Sequence, residues 1–305
     1  MGETVPEATT YAHAQRGTRG VPKEFVHLHD ESSVVITGWD RCDDAFFTLT
    51  AQWPATAVEG PCDPRVLAQT VRQSGLLITH AEYSIPLSHQ TLLYDFNYTV
   101  HPDFRVSPAE PTDLDIEIRT TETRRSGRVI SALRMDIHIL REGATVARAD
   151  CEFGWVSPAA YRRLRGEHHT VDWGSWPVPA PVEPHTVGRT DPADVLLAVG
   201  DRPGRWQLRN DIGNRLLFDH AVDHVPGLVL IEAAHQAAHA AAAPAHFVPV
   251  DLATTYERYV EFDEPCWLET ELIPFPASGR LTVRVNGIQG GRRVFRVDLS
   301  GVTTR

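Results

Sequence analysis

Residues 217–236 of the chain read LFDHAVDHVPGLVLIEAAHQ. Proline is favoured in the first turn of a helix, so Pro226 and Gly227 are predicted to begin one. The residues after them are mostly apolar, and Glu232 and His235 lie three positions apart, on one side of a helix. The stretch therefore predicts a largely apolar helix that carries an acid and an imidazole on the same stripe.

An earlier stretch has the same layout. Residues 63–80 read DPRVLAQTVRQSGLLITH, again with proline at the start of a helical pattern. Alignment of the two helices pairs Leu67 with Leu230, Gln69 with Glu232, Arg72 with His235 and Gln73 with Gln236. Short matches follow in the same order, Ser126-Gly127-Arg128 with Ser278-Gly279-Arg280 and Arg148-Ala149-Asp150 with Arg296-Val297-Asp298. These ordered matches indicate an internal duplication.

The segments around the two helices are rich in β-branched and aromatic residues and predict long strands. The predicted strands are 33–38, 45–53, 91–100, 115–121, 128–141 and 146–155 in the first half, and 195–199, 205–209, 255–262, 267–273, 281–288 and 293–299 in the second. One helix with antiparallel strands in each half is an α+β layout in which the sheet wraps the helix. A segment rich in Pro, Gly and Trp at 157–190 suits neither a strand nor a helix and predicts an ordered linker. We expect a flexible tail (1–20), a first domain (21–156), this linker and a second domain (191–305).

The composition is that of a soluble globular protein: 305 residues, 42% of them hydrophobic and 23% charged. The net charge of -11 argues against nucleic acid as a partner. The N-terminus has no apolar run, and no segment is long enough to span a membrane, so we expect a cytoplasmic protein. The four cysteines are scattered and are predicted to be reduced. The sequence has no glycine-rich nucleotide loop, and we expect neither a cofactor nor a metal.

The two helical stretches resemble the two repeats of the A-factor biosynthesis (AfsA) family. Further similar motifs are Ala51-Gln52-Trp53-Pro54, HAEYSIPL at 80–87, SPAAYRRLRG at 157–166 and EFDEPCW at 261–267. The resemblance implies a tandem hotdog fold, either a monomeric double hotdog or a homodimer. It also implies an acyltransferase that moves a β-ketoacyl group from an acyl carrier protein thioester to the hydroxyl of dihydroxyacetone phosphate, the first step of γ-butyrolactone signal biosynthesis. The family usually has Glu followed by Arg in both helices, whereas each helix here keeps only one member of that pair.

The predicted catalytic groups lie on the second helix. Glu232, desolvated by apolar neighbours, is the candidate general base with a raised pKa. His235 is expected to share that role, or to contact a phosphate when protonated. Free N–H groups at Gly227 are predicted to hold the thioester oxygen, and Arg72 from the first helix is the preferred anion contact. The other candidate substrate contacts are Gln69, Gln73, His220, His224 and Gln236.

Less specific roles for single residues remain open. A lone helical glutamate such as Glu232 is more often solvated or ion-paired than catalytic. Asp223 is as well suited to capping the second helix as to contacting substrate. His80 and His89 suit packing or capping. The three arginines of one short segment suit a solvated, salt-bridged face slightly better than docking of an acidic carrier protein; they are Arg162, Arg163 and Arg165.

Three other functions fit parts of the sequence. His235 and His239 have the spacing of a zinc-protease helix, with Glu232 as a third ligand, but the general base of that motif is missing. A non-catalytic hotdog protein that binds an acyl chain or a regulatory ligand would tolerate the changed helix pairs. A hotdog dehydratase or thioesterase is the third alternative, although Phe218 stands where a dehydratase would need histidine.

Overall fold

The structure, a computed structural model, describes residues 20–56, 60–127, 129–214, 216–275 and 280–304. The predicted N-terminal tail lies outside these residues except for Gly20. The helices are α1 (Pro64–Ala81), α2 (Pro158–Arg165) and α3 (Gly227–Ala242), with short 3-10 helices at Lys23–Val26, Glu31–Ser33, Gly166–His169, Pro184–Val187 and Pro192–Asp194. The strands are β1 (Ile36–Arg41), β2 (Phe46–Trp53), β3 (Gly60–Pro61), β4 (Gln90–Val100), β5 (Arg105–Val106), β6 (Thr112–Ser126), β7 (Val129–Arg141), β8 (Ala144–Val156), β9 (Leu197–Val199), β10 (Arg205–Leu208), β11 (His246–Tyr256), β12 (Trp267–Phe275), β13 (Arg280–Gln289) and β14 (Arg292–Thr304).

Twelve of the described strands form one antiparallel sheet, and its order shows the duplication. The order is β1-β2-β6-β7-β8-β4 in the first half and, continuing, β11-β14-β13-β12-β10-β9 in the second. The two halves join edge to edge, where β4 pairs with β11 through Asn97–Thr99 and Asp251–Ala253. Each half wraps its sheet around one long helix, α1 or α3. The predicted α+β tandem hotdog fold is confirmed.

The two long helices begin differently. The side chain of Asp63 accepts a hydrogen bond from Arg65 N at the start of α1, and Pro64 occupies the first turn. α3 has no side-chain cap, and most of its residues from Leu228 to Ala238 are buried. A helix that is apolar on almost every side is stable only inside the protein.

The paired glutamines fasten each helix to its own half. Gln73 Oε1 accepts a hydrogen bond from Val35 N at 2.9 Å, and its Nε2 donates to Ser33 O at 2.9 Å. Gln236 repeats the pattern with Leu196 N at 2.8 Å and Asp194 O at 2.7 Å. Both side chains are fully buried. Their predicted contact with substrate finds no support here, since backbone groups already satisfy both amides.

Two predictions about secondary structure are wrong. A strand was predicted at 255–262, but the observed strand is β11, which runs from His246 to Tyr256. The sequence did not indicate the first part of β11 because Pro249, at a bulge in the pairing with β14, interrupts the strand pattern. The predicted linker contains a helix, α2. The Ser157 side chain caps α2 by accepting a hydrogen bond from Ala160 N at 3.3 Å, and Pro158 occupies its first turn.

The cysteines and the lengths of the helices can also be read from the structure. None of the four cysteines is bridged to another. Within the described ranges, no helix is both long enough and apolar enough to cross a membrane.

Candidate active site

A cavity of about 820 Å³ lies between the two halves. α1 lines it with Gln69 and Arg72, and α3 lines it with its first turns from Gly227 to Leu230. The apolar part of the lining includes Leu92, Leu93, Phe96, Phe153 and Leu228. The cavity is therefore large enough for an apolar chain and also contains polar groups from both helices.

The N-terminal tip of α3 points its free amides at this cavity. Val229 N and Leu230 N bond to Pro226 O, whereas Gly227 N and Leu228 N have no hydrogen-bond acceptor among the described residues. A Cβ at Gly227 would lie 3.2 Å from the Tyr256 hydroxyl, so a side chain there would crowd the wall. The tip can therefore donate hydrogen bonds to a negatively charged oxygen. The alternative in which Asp223 caps α3 is wrong, since Pro226 stands at that position.

Arg72 supplies positive charge to the cavity. Its Nη1 donates to Val26 O at 3.1 Å, and burial lowers its pKa to about 10 against the opposing effect of Asp219. Burial and the charge of Arg72 lower the pKa of the neighbouring His27 to about 3. At neutral pH Arg72 is therefore cationic while His27 is neutral.

The tautomer of His27 follows from a chain of hydrogen bonds. His80 Nδ1 lies 2.7 Å from Ile85 O, which can only accept, so Nδ1 carries the proton. His80 Nε2 must then accept from His27 Nε2, 2.8 Å away, and His27 Nδ1 keeps a free lone pair. His80 is thus buried and packed against His27, which is one of the two roles expected of it, whereas Glu82 stands at the C-cap of α1.

Asp219 and His220 form a pair in the loop before α3. Asp219 accepts hydrogen bonds from His29 N at 2.6 Å and Asp30 N at 3.0 Å, and its Oδ2 lies 3.1 Å from His220 Nδ1. Burial alone would raise the pKa of Asp219, but these hydrogen bonds outweigh it and lower that pKa. The His29 and His220 rings stack with centroids 4.7 Å apart. Both His220 and Asp219 line the cavity.

A second pair, Asp223 and His224, is held by α2. The Asp223 carboxylate lies 2.7 Å from His224 Nδ1 and accepts hydrogen bonds from Tyr161 Oη at 2.8 Å and Arg165 Nε at 2.9 Å. Burial opposes these contacts, which nevertheless lower the pKa of Asp223 to about 2. Arg165 also binds both oxygens of Glu261, at 2.7 and 2.6 Å. Sequence reasoning missed this anchor because it lies in the predicted linker.

Glu232 and His235 do not line this cavity. The Glu232 carboxylate is 2% exposed, accepts two hydrogen bonds of 2.8 Å from Arg189, and accepts one of 2.6 Å from Gln236. Burial raises its pKa, as predicted, with Arg189 and Gln236 opposing the shift. Glu232 is thus part of a buried ion pair, and its catalytic role remains a prediction.

His235 is also enclosed. Its Nε2 lies 2.7 Å from the Tyr98 hydroxyl, and burial followed by the charge of Arg189 lowers its pKa to about 3. The ring is therefore neutral near neutral pH, and the predicted roles of His235 in proton transfer or phosphate binding stay predictions. No group of three or more metal-ligating side chains occurs among the residues that the structure describes.

The N-terminus of each long helix lies near polar residues of the other long helix. The tip of α3 shares the cavity with Gln69 and Arg72, while Glu232 has Asp63 and Arg65 at the tip of α1 as electrostatic neighbours. Glu232 therefore lies outside the cavity that the amides of its own helix line, and its predicted combination with those amides stays a prediction.

Arg189, the partner of Glu232, was also missed by sequence reasoning. It follows the 3-10 helix Pro184–Val187, which repeats Lys23–Val26, and both helices end in the left-handed conformation, at Gly188 and His27. An alignment of these two short helices pairs Arg189 with Leu28. In the sequence, this pairing sets a charged residue opposite an apolar one.

Gln69 is the remaining cavity residue on α1. Its Nε2 donates to Leu216 O at 3.3 Å, while its buried Oε1 has no hydrogen-bond partner in the described part of the protein. That oxygen is therefore available to a donor on a bound molecule.

The family model of the A-factor biosynthesis hotdog domain (AfsA) matches residues 9–157 and 174–303. A Streptomyces virginiae protein named 2-oxo-3-(phosphooxy)propyl 3-oxoalkanoate synthase is 39% identical over 91% of this chain and 96% of its own. The Streptomyces coelicolor protein of the same name is 38% identical over 92% of this chain and 91% of its own. A solved structure from Lactobacillus plantarum, described as an oleoyl thioesterase, has a TM-score of 0.54 at 10% identity and covers 85% of this chain and 97% of its own, which supports the fold alone. The two matched segments and the similarity along nearly the whole length show that the chain belongs to the AfsA hotdog family.

Proposed function

We propose that this protein is an acyltransferase that moves a β-ketoacyl group from an acyl carrier protein thioester to the hydroxyl of dihydroxyacetone phosphate. The names of its relatives describe such an ester, a 3-oxoalkanoate joined to a phosphooxy ketone. The observation that carries the proposal is a single cavity with apolar walls, a helix tip with free amides and a cationic arginine. The reaction would be the first step of γ-butyrolactone-type signal biosynthesis in the cytoplasm.

The tip of α3 is suited to activate the thioester. A thioester oxygen held by Gly227 N and Leu228 N gains negative charge when the hydroxyl attacks, and the two N–H groups and the helix dipole stabilise that charge. A donor of this kind contributes about 3–4 kcal/mol to transition-state stabilisation. The new C–O bond forms, the C–S bond breaks, and the carrier leaves as a thiol.

Arg72 is suited to hold the phosphate of the acceptor. It is partly buried, remains protonated at neutral pH and donates to only one backbone oxygen within the described residues. Its other guanidinium N–H groups can reach a phosphate oxygen. Gln69 Oε1, beside it on α1, can accept a hydrogen bond from a hydroxyl or a water.

The mouth of the cavity is suited to an acidic carrier protein. Leu164 on α2 and Arg258 line the cavity, and Leu164 is 57% exposed. Arg162, Arg163 and Arg258 are exposed and form no ion pair with any described residue. Arg258 lines the cavity, and Arg162 and Arg163 precede Leu164 on α2. These exposed arginines on a protein with a net charge of -11 support docking of an acidic partner rather than a solvated, salt-bridged face, whereas Arg165 is buried in its ion pairs.

The test is the mass of the product. The protein is incubated with a β-ketoacyl carrier thioester and dihydroxyacetone phosphate, and the expected product is an ester that retains the phosphate. A free β-keto acid would indicate a thioesterase, an enoyl chain a dehydratase, and an unchanged thioester a non-catalytic binding protein. Each of these three outcomes would contradict the proposal.

A further inference from the structure

The loop before α3 carries an Asp–His pair that faces the cavity from the second half. We propose that this pair is the acid–base device of the reaction: His220 Nε2 takes the proton of the acceptor hydroxyl, and Asp219 orients the imidazole. The inference rests on the proposed function and names the base that this function requires.

The geometry of the pair fixes the protonation of the ring. The Asp219 carboxylate is held by two backbone amides of the first half, those of His29 and Asp30. A carboxylate only accepts hydrogen bonds, so His220 Nδ1, 3.1 Å away, carries the proton. Nε2 is then left with its lone pair, and the stacked His29 ring restricts rotation of the imidazole. A base oriented by a carboxylate is the arrangement that general-base catalysis by histidine uses.

The location of His220 also suits this role. The residue lines the same cavity as Gly227 and Arg72, and its side chain is 28% exposed. A small alcohol can therefore reach Nε2 while its phosphate binds Arg72. The amides at the tip of α3, which would hold the thioester oxygen, line the same cavity.

The other basic groups are less suited. The neighbouring Arg72 cation opposes a second positive charge on His27. The carboxylate beside His224 is already shared with Arg165 and Tyr161. Glu232 does not line the cavity and is paired with Arg189.

The proton balance is complete within the pair and the two substrates. The hydroxyl O–H bond breaks as its oxygen attacks the thioester carbon, and the proton moves to His220 Nε2. The resulting imidazolium is stabilised by Asp219. When the C–S bond breaks, the same proton passes to the leaving thiolate, so the enzyme returns to its starting state without another reactant.

The experiment uses a β-ketoacyl N-acetylcysteamine thioester with dihydroxyacetone phosphate, so that carrier docking does not affect the result. His220→Asn is expected to lower kcat about 10²–10⁴-fold with little change in either KM, the usual contribution of a general base. Asp219→Asn should lower kcat as well, since it removes the orienting charge. His185→Asn, at an exposed position away from the cavity, is the matched control and should leave kcat unchanged.

Chemical rescue distinguishes a catalytic role of His220 from a merely structural one. Added imidazole should restore part of the turnover of His220→Gly, because the empty ring position opens into the cavity. The inference is overturned if His220→Asn keeps kcat within about fivefold of the wild type, or if imidazole fails to rescue a His220→Gly protein that has the wild-type circular dichroism spectrum. If the wild-type protein itself forms no ester, the proposed function fails first, which is a distinguishable result.

Discussion

Replacement of Arg189 by methionine tests the structural assignment of the Glu232 pair. The Glu232 side chain is 2% exposed and that of Arg189 18% exposed, so methionine would leave a carboxylate buried without its cation. Removing one partner of a buried ion pair costs about 3–5 kcal/mol, whereas replacing both partners by apolar residues is often nearly neutral. We therefore expect Arg189→Met to lower the free energy of unfolding by about 3–5 kcal/mol at pH 8, and the double variant Arg189→Met/Glu232→Met to regain most of that loss.

The effect should depend on pH in a definite direction. Burial already raises the pKa of Glu232 above its unfolded value, and loss of Arg189 raises it further. Between the unfolded and the folded pKa, the folded state binds more protons, so stability falls as pH rises through that range. The loss caused by Arg189→Met should therefore be smaller at pH 5 than at pH 8.

The assay is urea unfolding followed by tryptophan fluorescence at both pH values. The matched control is Arg202→Met, which removes an exposed partner of Glu269 and should cost less than about 1 kcal/mol. A loss below about 1 kcal/mol for Arg189→Met at pH 8, or an equal loss at pH 5 and pH 8, would show that Glu232 does not depend on Arg189 as a buried ion-pair partner.

Four further variants give separate readouts. Arg72→Met should raise the KM for dihydroxyacetone phosphate roughly 10–100-fold, because a charge-assisted hydrogen bond is lost, and leave the KM for the thioester unchanged in steady-state assays. Gly227→Val should lower kcat about 100-fold, since its side chain has no room at the wall and displaces the amide donors, while circular dichroism stays that of the wild type. Gln73→Leu should lower the free energy of unfolding by about 1–4 kcal/mol in urea, because two partly buried backbone groups lose their partner. Arg163→Glu should raise the KM for a carrier-bound thioester but not for its N-acetylcysteamine analogue, whereas Arg292→Glu, an exposed control elsewhere, should change neither.

The elements that sequence patterns predicted well are those whose patterns are local. Proline at the start of each long helix and the repeated glutamine located α1 and α3, and the shared Gln73 and Gln236 contacts show why that residue recurs. The strand at β11 was placed too late because Pro249 interrupts its pattern. The pairing of β11 with β4 joins residues distant in sequence, and no local pattern indicates it.

The candidate site was predicted only in part. Arg72, Gln69, Gly227, His220 and His224 do share one cavity, and the aligned helices supplied the first two. Glu232 lies outside that cavity, and the sequence could not indicate this because helical spacing shows which residues share a face, not which other helix that face meets.

The acyl chain is expected to occupy the cavity between α1 and the tip of α3. A β-ketoacyl N-acetylcysteamine thioester with a photoreactive diazirine at the chain terminus would be irradiated with the protein, and the modified peptides identified by mass spectrometry. We expect labels on cavity-wall residues of β4, β8 or the first turns of α3, such as Leu93, Phe153 and Leu228. Labels concentrated instead around Tyr98, Glu232 and His235 would contradict it.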